Sequence, residues 1–324
     1  MLDSANNVAA PRIVFLDRAT LGPTIALRAP NIPHVWVDHE RSTPEQVVER
    51  LRGATIAVTN KVPIDAAALA QLPDLRLIAV AATGTDVIDK AAAAEQGVLV
   101  RNVVGYGATS VSEHVLMLIL AMARGLVPHR ECVVDGSWTA GGLFCLFAAP
   151  VRDLSQMRLG LIGGGQIAQA VADRAKALGM DVVVAERRGA APRDRRLSFE
   201  EVMATSDIVS LHCPLTDETR GIINAETLAA AKRGIFIINT ARGALIDEAA
   251  LEAALESGQV GGAGLDVAIV EPPALDAPIL RLAKRPEVIV TPHAAWTSDT
   301  AMATLTEQLI RNIEAPLPEA AAAA

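Results

Sequence analysis

The chain has 324 residues, 51% of them apolar and only 3% aromatic, with a formal net charge of −8. That length suits two domains with cores of Val, Ile, Leu and Ala. An acidic balance without a Lys/Arg-rich run excludes nucleic acid as the main partner. Residues 1–7 carry no charged-then-apolar signal pattern, and the most apolar run, 115–123, is too short to span a bilayer. No membrane partner is therefore expected. The three cysteines, Cys132, Cys145 and Cys213, fit no metal or disulfide spacing, which points to a reduced, cytoplasmic setting and no bound metal.

In chain order, residues 12–16, 34–37, 55–59, 75–80 and 98–100 read as strands. Helices are expected over 44–51, 65–72 and 89–96. Buried strands alternating with helices predict a parallel, doubly wound sheet. Residues 110–124 form a long helix, apolar at Val111, Val115, Leu118, Ile119 and Met122, that carries the chain out of this unit. Residues 136–150, rich in Gly and Phe, read as a loop.

At Leu159 a second unit opens with a strand, a glycine cluster and a helix. The spacing Gly163-x-Gly165-x-x-Ala168 is the dinucleotide-binding fingerprint with alanine in third place. Gly163 permits the tight turn and Gly165 lets a pyrophosphate approach the backbone. Ala168 is small enough for helix to pack on strand. The helix N-terminus adds free N–H groups and partial positive charge. A second strand, 181–185, ends at Glu186, about 20 residues on, where a ribose-binding carboxylate belongs.

Further strands follow at 207–211, 235–239, 263–267 and 288–290. Helices follow at 199–204, 224–232, 247–257 and 298–314. The first sheet lacks a closing helix, and the last helix is free to return to it. The expectation is a discontinuous substrate domain, 1–102 with 293–324, and a dinucleotide-binding domain, 103–292. The fold class is α/β: two Rossmann-like doubly wound parallel-sheet domains with an inter-domain cleft for the chemistry. The alanine-rich end, 320–324, is expected to fray.

Hydride transfer to a carbonyl needs a proton donor, a cation to polarise the carbonyl, and a group to orient the donor. Three residues at successive strand ends supply this set. Arg242, in Thr240-Ala241-Arg242-Gly243, is a candidate clamp for a carboxylate and its adjacent carbonyl. His293, in Thr291-Pro292-His293, is a candidate acid/base. Glu271, before Pro272-Pro273, is placed to set the tautomer of His293 and favour its imidazolium. Taken singly, each also fits a surface arginine, a packed loop histidine or a solvated loop glutamate; the argument is collective. His34, His39, His114, His129 and His212 read as packing histidines. In the first unit, Ala82-Thr83-Gly84 follows a strand end and can offer backbone N–H groups to a carboxylate, or serve as a simple turn.

The sequence resembles the D-isomer-specific 2-hydroxyacid dehydrogenases, and within them the glycerate dehydrogenase (hydroxypyruvate reductase) branch. The likeness covers nearly the whole chain. It is carried by Asn60-Lys61-Val62-Pro63, Val80 to Asp86, Gly105 to His114, His212-Cys213-Pro214-Leu215-Thr216, Asn239 to Gly243, and Thr291 to Trp296. The resemblance implies that His293 protonates the substrate oxygen, Glu271 tunes it, and Arg242 binds the carbonyl and carboxylate. Ala82, Thr83 and Gly84 would hold the carboxylate. Cofactor contacts would fall on Thr109, Gly163, Gly165, Gln166, Ile167, Glu186, Thr240, Asp266 and His293. It also implies a homodimer built partly on the helix from Ser110.

Glu186 stands where Asp is more usual and is followed by Arg187 and Arg188. An acid there favours NAD, with NADP as the alternative. The expected activity is hydride transfer between NAD(H) and a short D-2-hydroxy acid or 2-oxo acid, foremost hydroxypyruvate and D-glycerate, with glyoxylate also accepted. The alternatives are a dinucleotide-sensing, corepressor-like protein on the same scaffold, which would carry extra partner-binding segments, and a formate- or phosphite-type dehydrogenase, which Glu271 disfavours.

Overall fold

The computed structural model describes residues 10–193 and 195–317. The two ends that carried expectations, 1–7 and 320–324, lie outside the described residues. The chain divides into two compact units: Met1–Tyr106 with Ser298–Ala324, and Gly107–Thr297. These limits fall slightly beyond 102 and 292. Val103 N–H donates to Ala82 and so stays with the first unit. The N–H groups of Ala294 and Ala295 donate to Asp266 and stay with the second.

The first unit is built on five parallel strands. They are β1 (Arg12–Phe15), β2 (Val35–Asp38), β3 (Ile56–Thr59), β4 (Leu77–Val80) and β5 (Leu99–Asn102), in the order β2-β1-β3-β4-β5. Every residue of β3 and β4 is buried, as continuous apolar runs covered on both faces should be. Strand order reverses between β1 and β3. There the buried Asp17 carboxylate accepts the N–H groups of Asn60 (2.9 Å) and Lys61 (2.7 Å), tying the two strand ends together.

The helix Asp299–Glu314 packs on β4 and β5 through a buried stripe that includes Met302, Leu305, Leu309, Ile310 and Ile313. Burying such side chains contributes roughly 1.5–3 kcal/mol each. Polar contacts fix the helix position. Arg28 pairs with Glu307 at 2.9 Å and Glu314 at 2.5 Å. Arg101 donates to the carbonyls of Asn312 and Ala315 near the helix end.

The second unit holds seven parallel strands: β6 (Arg158–Ile162), β7 (Asp181–Ala185), β8 (Arg196–Leu197), β9 (Ile208–Leu211), β10 (Ile235–Asn239), β11 (Val260–Leu265) and β12 (Val288–Val290). Their order is β12-β11-β10-β9-β6-β7-β8. Alternate residues feed opposite cores. Along β10, Ile235 and Ile237 enter the core of Phe199, Val202, Leu228 and Leu251, while Phe236 and Ile238 enter that of Val115, Leu118, Leu159 and Val171. Both sheets are thus the doubly wound α/β type that the sequence predicts.

Bare backbone sets the close approaches. A Cβ on Gly264 would lie 3.1 Å from Leu118, and one on Gly262 would lie 2.9 Å from Met122, so β11 seats the helix Ala108–Ala123 directly on its glycines. Among the described residues, the α-helices Leu126–Val134, Ser137–Gly141 and Pro278–Leu282, the strand β8 and the short 3-10 helices Arg18–Leu21, Leu154–Gln156 and Gly243–Leu245 are absent from the sequence-based expectation. Ser137–Gly141 lies in the stretch expected to be a loop. It and Leu126–Val134 contain no buried residue, hence no apolar periodicity to read. Among the described residues, no single helix is long and apolar enough to cross a membrane.

Gly160, inside β6, offers a test of this packing. An added Cβ would sit 2.4 Å from Val202 Cγ1 and 2.5 Å from Ser206 Oγ. Gly160→Ala is expected to cost about 1–3 kcal/mol. The thermal unfolding midpoint should fall accordingly and recover in part when Val202→Ala is added. An unchanged midpoint would contradict the packing.

Candidate active site

The reversal of strand order in the second sheet lies between β6 and β9, and the glycine turn sits there, where open α/β sheets bind ligands. Gly163 has φ +114°, and a Cβ on it would lie 2.5 Å from the His212 carbonyl oxygen, so the turn is packed on the residue that follows β9. At Gly165 a Cβ would meet nothing within 4 Å. That open space lies at the N-terminus of the helix Gln166–Ala177, whose first residues are Gln166 and Ile167. Ala168 is buried against the strands. An open, glycine-lined helix N-terminus fits the pyrophosphate of a dinucleotide.

Glu186, at the end of β7, is already engaged. Its carboxylate, 2% exposed, accepts Arg193 Nε at 2.7 Å and Arg193 Nη2 at 2.8 Å. It also accepts the Arg187 N–H at 3.0 Å. Chiefly through the Arg193 contact, its carboxyl is held down at about 2.

The ends of β10, β11 and β12 carry the other predicted residues. Asp266 follows β11 and is 1% exposed. Its Oδ1 accepts the Thr291 hydroxyl at 2.5 Å and the Ala294 N–H at 2.9 Å; its Oδ2 accepts the Ala295 N–H at 3.0 Å. Its carbonyl accepts the His293 N–H at 2.7 Å. This clasp holds His293 at φ +54°, a conformation that side-chain-bearing residues seldom adopt. His114 joins from the helix Ala108–Ala123, its Nε2 lying 3.0 Å from Thr291 Oγ1. It is a partnered histidine beneath the loop.

His293 and Glu271 meet: Nδ1 lies 2.6 Å from Oε2. The other Glu271 oxygen, Oε1, accepts the Ala268 N–H at 3.0 Å, so the carboxylate is held from both sides. Arg242 follows β10, where Asn239 Nδ2 donates to its carbonyl and the Arg242 Nη1 donates to Ala241 O. Gly243 brings this turn against the Glu271 loop. A Cβ on Gly243 would lie 2.1 Å from the Ala268 carbonyl carbon. Thr240, just before, has a buried hydroxyl with no hydrogen-bond partner among the described residues.

Thr109 is exposed in the first turn of the helix Ala108–Ala123. His212 lies under the glycine turn with Nε2 2.9 Å from Ser210 Oγ, and burial pushes its imidazole down to about 4. In the first unit the carbonyls of Ala82 and Thr83 accept from Val103 N and Asn102 Nδ2. None of the Ala82, Thr83 and Gly84 N–H groups is spent on an acceptor among the described residues. Also among the described residues, no three His, Cys, Asp or Glu side chains gather as a metal site. The Asp266 clasp was missed as such; the acidic residue was legible, its loop partners were not.

Gly165 separates folding from ligand binding, since its φ of −79° and open surroundings admit a side chain. Gly165→Val should leave the unfolding midpoint near that of the parent. The Kd for NADH should rise at least about tenfold, or 1.4 kcal/mol. Calorimetry and fluorescence titration read the two quantities.

Residues 116–295 match the family description "D-isomer specific 2-hydroxyacid dehydrogenase, NAD binding domain". The chain is 48% identical over 305 residues to a glycerate dehydrogenase of Methylorubrum extorquens, covering 94% of this chain and 95% of that one. It is 37% identical over 274 residues to a hydroxypyruvate reductase of Blautia hydrogenotrophica, covering 83% and 84%. A solved D-lactate dehydrogenase from Aquifex aeolicus, complexed with NAD and lactic acid, superposes with a TM-score of 0.78 at 26% identity over 94% of each chain. A glycine turn at the switch point of a parallel sheet and this extent of shared sequence lead to one conclusion: the chain belongs to the D-isomer specific 2-hydroxyacid dehydrogenase family and carries its NAD-binding domain.

Proposed function

We propose that the chain is an NADH-dependent reductase of hydroxypyruvate, giving D-glycerate, that also accepts glyoxylate. One observation carries this reading: His293 Nδ1 against Glu271 Oε2 at 2.6 Å, beside the Arg242-Gly243 turn. The names of the Methylorubrum and Blautia relatives support the substrate.

The bound dinucleotide supplies the hydride that the carbonyl carbon receives. Glu271 takes up Nδ1, which fixes the ring's orientation and leaves Nε2 to face the substrate. The proton held at Nε2 passes to the carbonyl oxygen as that oxygen becomes the hydroxyl. The Arg242 guanidinium grips the carboxylate and polarises the neighbouring carbonyl. Gly163, Gly165, Gln166 and Ile167 hold the pyrophosphate. The Glu186 strand end takes the adenosine ribose, and Thr109, Thr240 and Asp266 complete the cofactor contacts.

The working form is a homodimer in the cytoplasm. Its partner surface is the arm 126–147, where Leu143, Phe144 and Phe147 are 68%, 93% and 88% exposed. Exposed aromatic side chains clustered on a short segment are the mark of a protein interface. The free thiols of Cys132, Cys145 and Cys213 suit a reducing compartment.

His293→Ala should lower kcat with hydroxypyruvate by about 10²–10⁴ while NADH still binds. Glu271→Gln should lower kcat less and shift the pH profile. If no 2-oxo acid in a panel of hydroxypyruvate, glyoxylate and pyruvate oxidises NADH, the reading fails. Light scattering should give a mass twice the chain's 33.9 kDa, falling to the single-chain value when Phe144 and Phe147 are both changed to Ser.

A further inference from the structure

The loop that carries Glu271 runs from the end of β11 to the helix Pro278–Leu282. From Ala268 to Pro278 no residue is buried. A cavity of about 650 Å³ separates the loop from the segment 244–249, with Val270, Pro273 and Ala277 on the loop side and Ile246, Glu248 and Ala249 on the other. Pro272 and Pro273 stiffen this backbone without anchoring it. A loop beside empty space needs a tie if its carboxylate is to stay 2.6 Å from an imidazole nitrogen.

Glu248 supplies that tie from the opposite wall. It stands in the first turn of the helix Glu248–Glu256 and is 9% exposed. Its carboxylate accepts the N–H groups of Ile269 and Ile279. Ile269 opens the loop, next to the Ala268 N–H that holds Glu271 Oε1 at 3.0 Å. Ile279 closes it, in the first turn of Pro278–Leu282, a helix that Ala277 cannot cap with a side chain. One carboxylate thus joins both ends of the loop, and at the second end it serves as a cap reaching over from another helix. Gly243 bears on the same place, since a Cβ there would lie 2.4 Å from the Ile269 nitrogen. Burial pushes the Glu248 carboxyl above its ordinary value, and the two N–H groups pull it back. The Arg281 guanidinium, which also draws on it, is paired with Glu252 at 2.9 Å.

We propose that Glu248 is a positioning residue for the reduction: it clamps the two ends of the loop 268–279 and so fixes the Glu271 carboxylate against His293. It acts through Glu271, and the inference rests on the reading of His293 and Glu271 as the pair that holds the transferred proton. What matters is the reach of the side chain rather than its charge alone.

Steady-state reduction of hydroxypyruvate by the full-length protein tests this, with the Kd for NADH measured separately by fluorescence. Glu248→Asp keeps the charge and withdraws the carboxylate by one methylene. It should lower kcat at least about tenfold and leave the NADH Kd within about twofold of the parent. Glu248→Gln keeps the reach and an acceptor oxygen with two lone pairs, and should recover kcat to within about threefold of the parent. In a Glu271→Gln background the same Glu248→Asp change should lower kcat by less than about twofold, because the carboxylate it steadies is gone. A residue that only supports the fold would lower kcat by one factor in both backgrounds, and that result overturns the proposal. So does a Glu248→Asp variant within about threefold of the parent, or a Gln variant as slow as the Asp one. In each of these cases the parent is active and the assigned chemistry stands. A parent that oxidises NADH with no 2-oxo acid overturns that chemistry and this inference together.

Discussion

Asp266 sits at the end of β11 with both carboxylate oxygens spent on the loop after β12, and its own carbonyl spent on the His293 N–H. Holding a non-glycine residue at positive φ costs roughly 1–3 kcal/mol. Hydrogen bonds to a charged acceptor contribute about 1.5–3 kcal/mol each. Three of them on one buried carboxylate outweigh the backbone cost, so His293 keeps an orientation that no local preference would give it. The contact to Glu271 depends on that orientation. Without the clasp, imidazole and carboxylate would be two loop residues with no reason to meet.

A second constraint acts through missing side chains. Gly243 lets the Arg242 turn rest against Ala268, the residue whose N–H holds Glu271. Gly163 lets the dinucleotide turn rest against His212. In both places two strand-end loops touch backbone to backbone, which leaves little room for either to shift alone. The candidate chemistry is thus set on a rigid sheet edge, while the ligand-facing glycine, Gly165, has open space in front of it. Tight contact behind and emptiness ahead are both properties of glycine, used for opposite ends.

Much of this was legible in the sequence because it is local. The fingerprint 163–168, the buried strands and the strand-end placement of Arg242, Glu271 and His293 need only short-range pattern. What could not be read depends on contacts between distant residues. Asp266 looks like any acid at a strand end until Thr291, Ala294 and Ala295 are seen around it. Glu186 looks like a free ribose acceptor until Arg193 is seen to fold back onto it. The helix Leu126–Val134 buries nothing and carries Pro128, so neither periodicity nor propensity announced it.

The helix Asp299–Glu314 covers β4 and β5, yet it is the last element in chain order among the described residues. During synthesis the first five strands leave the ribosome early and must wait for it. Every residue of the second unit, Gly107–Thr297, emerges before that helix does. Domains generally fold as units, the N-terminal one first. Here the second unit is contiguous, and its sequence is complete before the helix that covers β4 and β5 has been made. The apolar face of β4 and β5 that Leu305, Leu309 and Ile313 cover therefore has no cover from that helix until the chain has been made as far as Ile313.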